Sequence, residues 1–97
     1  MKLIQHFKVT DPGGEVEAVT VDARDFMAFD VARARRGWPA AQEAGFLLMQ
    51  FVCWNALKRA GSDLVTSGFD IEAPPFADIV ELEGTDPDPT RTAPGPA

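Results

Sequence analysis

The sequence predicts an α+β fold in which an N-terminal β-hairpin packs on two main helices, and three observations support this class. Residues 2–21 combine β-favouring side chains with the turn sequence Asp11-Pro12-Gly13-Gly14. Two segments of helical length follow, and each ends at a glycine. With 97 residues, of which 45% are hydrophobic, the chain has the size and composition of one small globular domain.

The hairpin is predicted from its turn and from the alternation of side chains on either side of it. Leu3, Phe7 and Val9 fall on one face of the first strand. Residues 15–21 alternate as well, but the register slips near Ala18 and leaves the buried face of that strand open. An isolated hairpin is only marginally stable. An alternative architecture therefore has the N-terminal strands pairing between subunits.

The first helix is predicted to begin at Asp22 and to end at Gly37. Asp22 as N-cap and Asp25 three residues later resemble a capping box with aspartate in place of glutamate. A glycine just beyond the last turn is a common helix terminator. The last turn is basic, which suits the negative pole of the helix dipole, and contains Arg33, Arg35 and Arg36.

The second helix is predicted to start at Pro39, a favoured first helical residue, and to run through residues 40–60 to a terminator at Gly61. Its apolar side chains project around almost the whole circumference, so it must be covered on more than one side. A hairpin and one short helix provide little cover. We therefore expect one face to dock onto a partner or another copy of the chain, the alternative being that the whole helix is core.

The predicted contact surface is drawn from this helix, and some of the candidates must belong to the core. The candidates are Phe46, Leu47, Met49, Phe51, Trp54 and Leu57, together with Trp38 just before the helix. The basic run that precedes Trp38 is a second place for a partner, including the acidic end of the chain. Favourable interactions at a helix C-terminus explain that run without a ligand.

Residues 1–83 are predicted to form a single domain, within which residues 69–83 are loosely packed. Residues 63–67 could form a short helical turn, and residues 76–82 could form either a helical turn or a short strand. The remaining residues, 84–97, hold four prolines and no large apolar side chain. This composition predicts an acidic, proline-rich disordered tail.

The net charge of −6 belongs to the C-terminal part of the chain. Residues 1–69 hold eight basic and eight acidic side chains, whereas residues 70–97 hold seven acidic and one basic. An acidic segment repels a phosphate backbone, so we expect no nucleic-acid partner.

The longest apolar-rich run, residues 44–57, covers 14 residues. A bilayer span needs about 20, so we expect no membrane partner either.

His6 and Cys53 are the candidates for nucleophilic chemistry, and neither has the surroundings that such chemistry needs. Cys53 lies in an apolar helix without an adjacent base, as expected of a buried, unreactive thiol. Helix capping explains Asp22 and Asp25 without acid–base catalysis. One cysteine and one histidine make a poor metal site. We therefore expect no enzyme activity, no cofactor and no metal.

Four segments, together with a proline- and threonine-rich acidic end, carry a family resemblance. They are Asp25-Phe26-Met27-Ala28-Phe29-Asp30, Phe51-Val52-Cys53-Trp54-Asn55-Ala56-Leu57-Lys58-Arg59-Ala60-Gly61, Phe69-Asp70 and Val80-Glu81-Leu82-Glu83. In this order they resemble the small tail assembly chaperones of long-tailed bacteriophages that infect actinobacteria, in which a tryptophan-containing helix with a similar ending recurs. The resemblance spans about residues 20–90. Pro74-Pro75 departs from the family, which has a Phe-x-x-Trp helix there.

The resemblance implies a protein that is absent from the mature virion and that coats and solubilises the tape measure protein in the host cytoplasm. It also implies a longer product, made by ribosomal frameshifting near the C-terminus, that recruits the tail tube protein. We further expect a homo-oligomer. The alternatives are a virion structural protein, such as a head–tail adaptor or capsid decoration protein, and a small regulatory or antitoxin-like protein.

Overall fold

The computed structural model describes residues 4–39, 44–65 and 67–82. In chain order the elements are β1 (Gln5–Thr10), β2 (Val16–Val21), α1 (Ala23–Arg36), α2 (Gly45–Arg59) and β3 (Asp78–Glu81). The predicted α+β class, with an N-terminal hairpin and two main helices, is confirmed. The predicted disordered tail, residues 84–97, lies outside the described residues.

β1 is the central strand of a three-stranded antiparallel sheet with the order β2-β1-β3. Phe7 on β1 lies opposite Val19 on β2. The inward face of the hairpin consists of Phe7, Val9, Val19 and Val21, all of which are buried. The open question of register near Ala18 is thus answered, because Val19 faces the core and Ala18 faces solvent.

The segment 76–82 contains the short strand and not the helical turn. β3 pairs antiparallel with β1, and hydrogen bonds extend the ladder at both of its ends. The Ala77 N–H donates to the Thr10 carbonyl at 2.7 Å, and the Leu82 N–H donates to the His6 carbonyl at 2.8 Å. The third strand that a stable small sheet needs therefore comes from the same chain.

α1 begins and ends at the predicted residues. The Asp22 carboxylate accepts the Arg24 N–H, and the Asp25 carboxylate accepts the Asp22 N–H, each at 2.9 Å, in a complete capping box. Gly37 has the positive φ of 72° that this helix end requires. The Trp38 N–H then donates back into the last turn at 3.0 Å. This closure directs Trp38 toward the space between the two helices.

α2 begins later than predicted, at Gly45 with Ala44 as its N-cap. Pro39 is not its first residue, and residues 40–43 lie outside the described part of the chain. Pro39 instead continues the turn after α1, where its carbonyl accepts a hydrogen bond from Arg33 Nε at 3.3 Å. The prediction of a helix start at Pro39 was wrong: the Pro39 carbonyl, which a helix would use for its own backbone hydrogen bond, accepts from the Arg33 side chain.

The end of α2 is as predicted, but the segment after it is not helical. Gly61 has a φ of 78°, and the Ser62 N–H donates to the Leu57 carbonyl at 3.0 Å. Residues 63 and 64 lie in a turn, and the described residues of the range 63–67, which exclude residue 66, form no helix. The sequence alone permits a short helical turn there. The Ser62 hydroxyl accepts the Leu64 N–H at 3.0 Å. This side-chain bond competes with a helical backbone bond.

The core lies between the inward face of the sheet and α2, and α1 packs beside α2. Its centre on α2 consists of Val52, Cys53, Ala56 and Leu57, which are at most 2% exposed. No helix in the described part of the chain has the length and apolarity that crossing a bilayer requires.

Candidate functional site

Five aromatic side chains form a cluster around Phe51 of α2. The ring centroid of Phe51 lies between 5.2 and 6.0 Å from those of the other four, Phe29, Trp38, Trp54 and Phe69. The rings meet in tilted and edge-to-face geometry, which the aromatic quadrupole favours. This aromatic cluster supplies the second cover that an all-round apolar helix needs.

Two side chains of α2 hold down the irregular segment that completes this cover, residues 67–76. The Gln50 amide donates to the Phe76 carbonyl at 2.8 Å and accepts the Phe76 N–H at 3.0 Å. Trp54 Nε1 donates to the Ser67 carbonyl at 3.1 Å. Both ends of the segment thereby have backbone groups satisfied by α2. We call residues 67–76 the covering segment.

The Phe46 groove, an apolar depression of about 330 Å³, lies between the first turns of α2 and the covering segment. It is lined by Phe46, Leu47, Gln50, Phe69, Ile71 and Pro74. Phe46 is 91% exposed, the highest value among the large apolar side chains of the described residues. Burying such a side chain is worth about 1.5–3 kcal/mol. A partner that covers the groove would gain this free energy.

The structure divides the predicted contact residues by depth. Phe51 and Leu57 belong to the core, at 5% and 2% exposure. Trp38, Met49 and Trp54 are half-buried, as is Leu47. Of the seven candidates, Phe46 and Leu47 line the groove. A partner that docks in the groove would contact these two directly.

The second wall of the groove was not found from the sequence. Phe69, Ile71 and Pro74 come from a segment without helical or strand periodicity. Their position follows from polar contacts of α2 that are distant in sequence, above all the bonds between Gln50 and Phe76. No local signal identifies such contacts.

A buried carboxylate links the two helices in addition to capping α1. Asp25 is 0% exposed and accepts hydrogen bonds from Asn55 Nδ2 at 2.8 Å and from Arg59 Nη2 at 2.7 Å. Asn55 and Arg59 are one turn apart on α2, so both reach the same carboxylate. The neighbouring Asp22 accepts hydrogen bonds from the Arg24 side chain, which lowers the pKa of Asp22 to about 2. Every member of this group thus has a structural role.

The basic residues at the end of α1 close the turn around Trp38. Arg36 lies over the indole of Trp38, with its guanidinium carbon 5.0 Å from the ring centroid. Its Nη1 also donates to the Phe69 carbonyl at 3.4 Å. These contacts give Arg36 a structural role within the chain.

Cys53 is fully buried, and burial, together with the charge of Asp25, raises the pKa of its thiol to about 12. A thiol with this pKa is protonated at neutral pH and reacts slowly. We expect the native protein to resist labelling by dithionitrobenzoate under conditions that label the unfolded chain completely. Labelling of the native protein as fast as of the unfolded chain would contradict the buried position.

Within the described ranges, no three histidine, cysteine or acidic side chains are grouped so that they could hold a metal ion.

Comparison with known proteins adds no relative: the chain matches no protein-family model, no curated protein and no solved structure at a significant level. The Phe46 groove and the aromatic cluster behind it are therefore the features from which a function is inferred.

Proposed function

We propose that this chain is a tail assembly chaperone of a long-tailed bacteriophage that holds apolar helical segments of the tape measure protein in the Phe46 groove. The observation that carries the binding role is the 91% exposure of Phe46 at the rim of an apolar groove. The resemblance in sequence suggests the identity of the partner. The host cytoplasm, where tails assemble, is the proposed place of action.

The groove suits one face of an amphipathic helix. Such a helix presents apolar side chains three and four residues apart in a row, and the groove offers one wall from α2 and one from the covering segment. Phe69 is held firmly, since its ring centroid lies 5.2 Å from that of Phe51 and 5.7 Å from that of Trp54. A preformed groove avoids the entropic cost of ordering a binding loop.

The small size of the groove is consistent with a reversible hold on a long client. A volume of about 330 Å³ is at the lower end of the range for binding pockets and covers few side chains of a partner. Several copies of the chain would then be needed along one tape measure protein, each bound weakly. Weak binding at many sites keeps apolar surface out of water and still permits release during assembly.

Phe46→Ala should weaken binding of the tape measure protein by about 2 kcal/mol, or about 30-fold, because it removes the exposed aromatic anchor. The thermal melting temperature should remain within a degree or two, since the side chain contributes little to the fold. Co-expression with the tape measure protein, followed by affinity capture, measures the binding. Met27→Ala is the matched control, because Met27 is 67% exposed on α1 and does not line the groove.

Equal capture of the tape measure protein by Phe46→Ala and by the wild type would exclude the groove as the binding site.

The composition of mature particles separates a tail assembly chaperone from a virion structural protein. A chaperone is absent from them, whereas a head–tail adaptor or decoration protein is present at fixed copy number. A frameshifted longer form that captures the tail tube protein would extend the proposal.

A further inference from the structure

The outer edge of β2 has free backbone hydrogen-bonding groups. At the hairpin turn the Asp11 N–H donates to the Glu15 carbonyl at 2.8 Å. Bonded pairs recur at every second residue of an antiparallel ladder, so the backbone groups of Val16, Ala18 and Thr20 point away from β1. β2 is a terminal strand in the sheet order, and no hydrogen bond within residues 4–39, 44–65 and 67–82 reaches these groups.

This edge lacks most of the features that normally prevent pairing with another chain, the exception being Glu17, a charge on the same face as the buried Val19. Free edges typically carry lysine, proline or a bulge, whereas β2 has the sequence VEAVTV over six residues. Its one charged side chain, Glu17, accepts a hydrogen bond from the Ser62 hydroxyl at 2.7 Å. The opposite edge is different, since β3 has four residues and is acidic at both ends, at Asp78 and Glu81.

We propose that β2 pairs antiparallel with β2 of a second copy of the chain, about a two-fold axis at Ala18, to form a continuous six-stranded sheet. Val16 then lies opposite Thr20 of the second copy, and Ala18 lies opposite its own equivalent. Three bonded pairs supply about six backbone hydrogen bonds. The surface is self-complementary, as a two-fold interface requires.

Charge and hydrogen bonding favour this register over its neighbours. A slide of two residues in one direction places Glu17 opposite Glu17 of the second copy, which is destabilising. A slide in the other direction pairs Ala18 with Thr20 and extends the ladder to Asp22. The Asp22 N–H already donates to the Asp25 carboxylate at 2.9 Å, and its carbonyl already accepts the Asp25 N–H at 3.0 Å, so neither group is free for the ladder. In the centred register Glu17 faces Val19, and no like charges meet.

A cysteine placed on the axis tests both the pairing and its register. The Cα atoms of a bonded antiparallel pair lie about 5.5 Å apart, within the range that a disulfide spans. Ala18→Cys in the full chain should therefore form a covalent dimer on mild oxidation, seen on a non-reducing gel. Thr20→Cys is the matched control, because its two copies would be about 13 Å or more apart. The native Cys53 is fully buried and contributes no background.

A charge at the same position tests the interface without a cross-link. Within the chain Ala18 lies opposite Lys8, so Ala18→Glu gains a favourable cross-strand pair and should leave the monomer folded. Across the axis two carboxylates would meet, which should raise the dimer dissociation constant about fivefold at low salt. About 1 M salt should reverse the effect, and Ala18→Thr should retain the dimer. Sedimentation equilibrium provides the measurement.

Three results would overturn the β2 pairing: a wild-type chain that sediments as a monomer at all concentrations, Ala18→Cys that cross-links no faster than Thr20→Cys, or Ala18→Glu that dimerises like the wild type. The pairing does not rest on the proposed function, because the Phe46 groove contains no residue of β2. Loss of tape measure binding with an intact dimer would contradict the proposed function alone.

Discussion

Phe51→Ala should lower the free energy of unfolding by about 3–5 kcal/mol, which is the usual cost of removing a buried phenylalanine. Phe51 is 5% exposed and contacts all four other rings of the aromatic cluster. Its loss leaves a cavity beneath the covering segment. A small domain has only about 5–15 kcal/mol in total, so much of the variant should unfold on mild heating.

Urea denaturation followed by tryptophan fluorescence measures this loss, since Trp38 and Trp54 both lie in the cluster. Phe46→Ala serves as the control at the same residue type, because Phe46 is almost fully exposed. Equal destabilisation by the two substitutions would mean that Phe46 is also part of the core. The groove would then not be a surface that is available to a partner.

Asp25→Ala should lower the free energy of unfolding by about 2–4 kcal/mol, because Asn55 and Arg59 lose their shared acceptor. Arg59 is 31% exposed and keeps Asp22 at 3.7 Å, which limits the loss. The substitution also removes one half of the capping box at Asp22. Urea denaturation provides the value. Asp30→Ala is the matched control, since Asp30 is an exposed acid on the same helix and its loss should change stability by at most about 0.5 kcal/mol.

A cost of only about 1 kcal/mol for Asp25→Ala would equal the loss of an ordinary helix cap. The contacts of Asp25 with α2 would then contribute nothing measurable to the stability of the fold. A double-mutant cycle with Arg59→Ala isolates the ion pair from the cap.

Local chemistry explains why the helix ends could be predicted and why other features could not. Asp22, Gly37 and Gly61 act through their own backbone conformation and near neighbours, so the sequence identifies them directly. The sequence does not distinguish a strand from a helical turn at β3, because four residues carry little pattern and their pairing partner is about 70 residues earlier in the chain. The start of α2 at Gly45 could not be predicted, because Pro39 is a favoured first helical residue but its carbonyl accepts a hydrogen bond from Arg33 of α1.

Only the wall of the Phe46 groove that α2 forms could be predicted from the sequence. The excess of apolar residues on α2 pointed to a partner surface, and Phe46 is where the structure leaves such a residue exposed. The other wall depends on Gln50 and Trp54 holding a segment that has no periodicity. Asp25 was interpreted as a cap because that local role is real, and its contacts with Asn55 and Arg59 span 30 and 34 residues.

Photo-crosslinking from position 46 tests the central claim that the Phe46 groove receives the client. Benzoyl-phenylalanine replaces Phe46 in the full chain, the tape measure protein is co-expressed, and mass spectrometry identifies the cross-linked peptides. We expect cross-links to apolar helical segments of the tape measure protein from position 46 and none from the same group at position 27. Co-purification of the tape measure protein without a cross-link from position 46, or with equal cross-linking from position 27, would contradict the assignment.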